Sequence, residues 1–231
     1  MTSNKKKARI AGLLYFVTSI FGFFGLAYVP SVIFVAGDPA ATAKNIQAHE
    51  LLLRGGIVSN LIASIGFIFV ALALYELLKG VHQKLAASMV ILIGASIPVS
   101  LMNEVNRLAT LKLLTGAGFS SAFQKPQLDA MALLFHGLWN QGNLVAQILW
   151  GLWLIPFGIL VYKSGFLPRI LGVLLFIACL GYLTSSFTLL LFPAYGPSVT
   201  TYSTLLNFCE LPIILWLLIM GAKDQPANAI A

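Results

Sequence analysis

Residues 57–78 read IVSNLIASIGFIFVALALYELL, twenty-two positions whose only charge, Glu76, lies near the end. The run shows no period-two alternation, so it does not describe a strand with one wet face. It matches a helix crossing a hydrocarbon core about 30 Å thick, which takes about 20 residues. A backbone in lipid must satisfy its own amides, leaving helices or closed barrels, and barrel strands alternate over only about 10 residues. This stretch therefore sets the fold class as all-α and membrane-embedded.

Working outward, five more stretches follow the same rule. Expected spans are 10–29, 57–78, 85–107, 142–162, 170–192 and 202–220. They make a bundle of six transmembrane helices in a single domain, 1–231, with short interfacial helices on the outer side. The apolar sequence at 128–162 would run about 50 Å as one helix, so the part before Gly142 is expected to lie at or beyond the interface. Pro30 is expected to close the first span and Pro98 to kink the third. Asp38-Pro39 reads as an N-cap followed by proline in the first turn, opening a short polar helix to about Leu53, where Gly55-Gly56 would bend the chain. Gly116, Gly118 and Pro126 mark a loop.

The whole chain agrees with this reading: 59% of its 231 residues are hydrophobic and 9% charged, against about 25% charged in a soluble domain. The net charge of +7 is not a nucleic-acid signal, because the basic residues gather at span ends. Nine of them (Lys5, Lys6, Lys7, Arg9, Lys79, Lys84, Lys163, Arg169, Lys223) fall on the N-terminal side. Five (Lys44, Arg54, Arg107, Lys112, Lys125) fall opposite. That bias predicts an inner-membrane protein with both termini cytoplasmic. The apolar stretch from Ile10 to Val29 exceeds the usual signal-peptide core of about 7–15 residues and reads as a retained first helix.

The strings RIAGLLY (9–15), ALALYELLK (71–79) and FLPRILGVLL (166–175), with GYL at 181–183, resemble the uncharacterised bacterial membrane family catalogued as domain of unknown function 4386. The resemblance implies a multi-pass bacterial inner-membrane protein and supplies no catalytic or binding residue.

Function has to be sought in the polar residues inside the spans. The second helix brings Arg54 and Asn60 near its outer end, and the third brings Asn103, Glu104, Asn106 and Arg107. The fourth helix brings His136, Asn140, Asn143 and Gln147, and the sixth brings Asn207 and Glu210. His136, Asn140, Asn143 and Gln147 stand at i, i+4, i+7 and i+11, which places them on one stripe of a helix. The expected ligand-binding set is Arg54, Asn60, Glu104, Arg107, His136, Asn140, Asn143, Gln147, Asn207 and Glu210, meeting around one outward-opening pocket. Glu210 sits mid-span, where an ionised side chain costs at least about 2.5–3.5 kcal/mol. It should be paired with Arg54 or Arg107, or be neutral.

Three readings stay open. The pocket binds or carries a small molecule, lipid or ion; the polar residues form a structural network in a scaffold or accessory subunit; or His136 and Glu104 do acid–base work on a lipid-type substrate. No nucleophile motif accompanies them, so no catalytic residue is assigned. Cys179 and Cys209 have no metal spacing, and the three histidines are far apart, so no metal and no cofactor is assigned. Expected partners are the bilayer, a small-molecule or lipid ligand, and another membrane protein or a second copy, with no nucleic acid. Trp139, Trp150, Trp153 and Trp216 read as ordinary span tryptophans near interfaces.

Overall fold

The computed structural model describes residues 3–116 and 122–223; Gly118, read above as a loop marker, lies outside them. Among the described residues there is no strand, and six helical stretches are long and apolar enough to cross a membrane. The protein is all-α and multi-pass. The helices are α1 (Asn4–Phe23), α2 (Val29–Ile33), α3 (Pro39–Ala48), α4 (Glu50–Leu78), α5 (Gln83–Thr115), α6 (Lys125–Leu152), α7 (Leu154–Lys163), α8 (Arg169–Leu191), α9 (Gly196–Asn207) and α10 (Leu211–Ile219). The six stretches are Asn4–Ile33, Glu50–Leu78, Gln83–Thr115, Lys125–Lys163, Arg169–Leu191 and Ser198–Ile219.

Prolines act here by reshaping helices more than by ending them. Pro30 does not close the first span. A π-helical turn at Phe24–Tyr28 joins α1 to α2, and the Val29 N–H bonds the Phe24 carbonyl five residues back. The next donor in that pattern would belong to residue 30, and proline has none. The carbonyl of Gly25 therefore loses its helical partner. Pro98 sits inside α5 without ending it. Pro156 follows a break at Trp153 between α6 and α7, and Pro212 follows a 3₁₀ turn at Phe208–Glu210 between α9 and α10.

Asp38 does cap α3: its carboxylate accepts from the Ala41 N–H at 2.9 Å, with Pro39 in the first turn. That helix ends earlier than expected, at Ala48, and α4 runs unbroken through Gly55-Gly56. Gly56 packs closely against Val29 and Arg107, and the helical hydrogen bonds outweigh the intrinsic cost of about 1 kcal/mol per glycine. In the turn after α4, Lys79 Nζ donates to Glu76 at 2.7 Å, and that bond raises the lysine's pKa.

Contacts divide the chain into two compact units. One takes residues up to 17, 66–97 and those from 144 on; the other takes 18–65 and 98–143. In the second unit, Val29, Ile33, Ile46, Leu53, Ile57 and Leu111 form a buried core. The α3 helix is tied to it by Asn45 Nδ2, which donates to the Ile33 carbonyl at 3.1 Å. In the first unit, Tyr15, Phe67, Trp153 and Phe157 pack edge-on, tilted or face-to-face with centroids 5.3–6.3 Å apart.

Candidate functional site

The candidate residues fall into two groups, one in each unit. In the unit of residues 18–65 and 98–143, α5 presents Asn103, Glu104 and Arg107. Glu104 Oε1 accepts from Asn60 Nδ2 of α4 at 2.9 Å and from the Trp139 indole N–H of α6 at 2.8 Å. Glu104 Oε2 stands 3.7 Å from Arg107 Nη1, an ion pair on the long side for direct bonding. The same Nη1 donates to the Gly25 carbonyl at 3.1 Å, the acceptor that the π turn and Pro30 set free. The Arg107 guanidinium lies 4.8 Å above the Trp139 ring, in cation–π range. Its side chain is 0% exposed and that of Glu104 is 5%.

Around this pair the network extends along α6. Asn103 Nδ2 donates to the Trp139 carbonyl at 2.8 Å and to Asn143 Oδ1 at 3.0 Å, and Asn106 donates to Asn103 at 3.1 Å. The His136 ring stacks on Phe34 and on Trp139, and its Nε2 is 3.2 Å from Asn140 Nδ2. Small residues let the helices come this close. A Cβ on Gly25 would run into Asn60 and stand 2.7 Å from the Gly56 carbonyl oxygen; one on Gly142 would overlap the Asn103 amide. Several polar atoms buried here are completed by no described protein hydrogen bond: Arg107 Nε and Nη2, Asn60 Oδ1, Glu104 Oε2 and His136 Nδ1.

The other unit holds Glu210, on the 3₁₀ turn before Pro212. Its carboxylate accepts from the Tyr15 hydroxyl of α1 and from the Tyr182 hydroxyl of α8, the latter at 3.0 Å. Close approach again depends on a glycine: a Cβ on Gly12, one turn before Tyr15, would collide with the backbone of Leu217 and Leu218 in α10. Asn207, one turn before Glu210, turns its buried Oδ1 toward Gly181, and Gln147 is half-buried.

These placements correct three expectations. Neither arginine pairs with Glu210. Arg54 is half exposed and bonds Glu50 four residues away at 2.7 Å, because an i,i+4 partner on its own helix is within reach without any tertiary packing. Arg107 belongs to Glu104. Second, the polar stripe of α6 is rotated: Asn140 is exposed, while His136, Trp139 and Ala146 are buried with Asn143 partly covered. Third, the residues left out matter. Trp139 is a central donor to Glu104 and not an interfacial ornament, and its spacing of three from His136 and four from Asn143 was the available signal. Tyr15 and Tyr182 carried none, since aromatic residues are common throughout these spans.

His136 and Glu104 do not bond each other; the carboxylate is taken by Asn60 and Trp139. No group of three or more His, Cys, Asp and Glu that could hold a metal occurs among the described residues. Cys179 and Cys209 are free thiols.

The family described as domain of unknown function (DUF4386) matches residues 10–221. An uncharacterized protein of the archaeon Archaeoglobus fulgidus is 31% identical over 154 residues, covering 67% of this chain and 76% of the relative. No solved structure matches.

Proposed function

We propose that this chain, which belongs to the family described as domain of unknown function (DUF4386), is a binding protein or carrier of the cell membrane that holds a small polar ligand within the bilayer. The observation that carries the reading is Arg107: fully buried in a span, with Nε and Nη2 completed by no described protein group. An arginine cannot be neutralised to escape this cost, and intramembrane charges that persist mark ligand or ion pathways by default. The cluster offers donors at Arg107 and acceptors at Asn60 Oδ1 and Glu104 Oε2. It suits a ligand carrying both an acceptor and a donor group, such as a small amide, a hydroxy compound or a lipid headgroup.

The excess of basic residues on the N-terminal side supports cytoplasmic termini. With that orientation, Gly25 late in the first span, Asn60 early in the second, Glu104 and Arg107 late in the third and Trp139 early in the fourth all belong to the outer half of the membrane. The ligand would then enter from the outer side, and α3, between the first two spans, would lie at that interface.

A second reading has its own observation. Asn60, Glu104 and Trp139 tie α4, α5 and α6 together, as a purely structural network in a scaffold would. The double variant Glu104→Gln/Arg107→Met separates the two. Removing a buried pair as a unit is often neutral or stabilising by about 1–4 kcal/mol, and sites kept for function commonly sacrifice stability. We expect the double variant, purified in detergent, to melt at or above the parent and to lose small molecules that co-purify with the parent and are found by mass spectrometry of its extract. A double variant that melts far below the parent makes the network structural.

A further inference from the structure

We propose that Glu210, held between Tyr15 and Tyr182, is a proton-exchange site in the unit that contains residues 144–223. The inference is independent of the Arg107 cluster.

Four observations carry it. Glu210 is 9% exposed and lies within the sixth apolar stretch. Its two oxygens each take a phenol hydroxyl, from α1 and from α8. The titratable groups on the elements against it are Tyr15 on α1, Tyr182 and Cys179 on α8 and Cys209 on its own turn, with no charged residue on α10; no Lys, Arg or His among the described residues pairs with it. The nearest basic group along α1, Arg9, is committed to the Ile219 carbonyl at 3.0 Å. Finally, the surroundings of Tyr15 are the packed rings of Phe67 and Trp153, which contribute no oxygen. A hard metal ion takes about six or more oxygen ligands, and the side-chain oxygens bonded to Glu210 are the two phenols. A proton needs no such shell.

Burial without a cation favours the neutral acid, whereas two phenol donors aimed at both oxygens favour the carboxylate. The site accommodates each form. As the carboxylate, Glu210 accepts from both tyrosines. When a proton arrives from water it forms the carboxyl O–H, and one phenol turns from donor to acceptor. When it leaves, that phenol turns back. The exchange takes place at the break between α9 and α10, so it changes the bonds that tie this break to α1 and α8.

The test is infrared difference spectroscopy of the full-length protein in detergent, recorded across pH in sodium chloride and in choline chloride. A carboxylic-acid C=O band that grows as pH falls, is absent from Glu210→Gln and has the same midpoint in both salts is the expected result. Tyr182→Phe and Tyr15→Phe should keep the band and move its midpoint, which preserves the test if Glu210→Gln fails to fold. A parent spectrum indistinguishable from Glu210→Gln at every pH overturns the proposal, as does an unmoved midpoint in both tyrosine variants. A midpoint that follows the sodium concentration makes this a metal-cation site and overturns it equally.

Discussion

Glu104 and Glu210 are the same residue in two different solutions to one problem. Each is buried in an apolar stretch and each accepts from two neutral donors, Asn60 and Trp139 for one and Tyr15 and Tyr182 for the other. Only Glu104 has a guanidinium beside it. A positive neighbour favours the charged form of a carboxylate, whereas neutral donors alone leave both protonation states within reach. The first arrangement is a standing dipole with unused hydrogen-bonding edges, suited to holding a ligand. The second is suited to exchanging a proton. The difference lies in one residue three positions along α5.

That comparison breaks first at Glu104. Glu104→Gln leaves the buried Arg107 without its anionic neighbour, and an uncompensated buried charge costs about 3–5 kcal/mol. Chemical unfolding in detergent should show a loss of that order. A loss below about 1 kcal/mol would mean that Arg107 does not depend on Glu104 for its charge, and the contrast with Glu210 would disappear.

A smaller effect compares how the two clusters are held together. A Cβ at Gly12 meets backbone atoms of Leu217 and Leu218, and one at Gly25 meets chiefly the side chain of Asn60 together with the Gly56 carbonyl. Overpacking costs about 1–3 kcal/mol, and backbone yields less readily than a side chain. Gly12→Ala should therefore lower the melting temperature more than Gly25→Ala. The reverse order would show that the Asn60 network is the more rigid of the two.

How much of this was legible follows from the range of each interaction. The apolar runs determine the six helices because lipid leaves the backbone no alternative, and the Asp38-Pro39 cap is a local motif that can be read from neighbouring residues. The candidates Asn60, Glu104, Arg107 and His136 were visible because polar groups inside apolar runs are rare. Their partners were not. Tyr15 and Tyr182 are amphipathic residues whose apolar bodies hide their donors, and for Trp139 the one local signal is its spacing from His136 and Asn143. The Gly25 carbonyl was still harder to find: its availability requires both the π turn and the missing N–H of Pro30, and the proline alone reads as a stop.

Arg54 tests the smallest and most local of these distinctions. By residue type and expected side of the membrane it belongs with Arg107, and from sequence the two are interchangeable partners for Glu210. The structure gives Arg54 a 50% exposed side chain and a partner, Glu50, one turn earlier on the same helix. Such exposed pairs contribute about 0.2–1 kcal/mol and are screened by salt. Arg54→Gln should therefore change the unfolding free energy by less than about 1 kcal/mol, by still less at high ionic strength, and should leave the Glu210 infrared band untouched. An effect as large as that of Glu104→Gln would place Arg54 in a buried network after all. It would also mean that having a partner within one turn says nothing about whether a membrane arginine is committed to it.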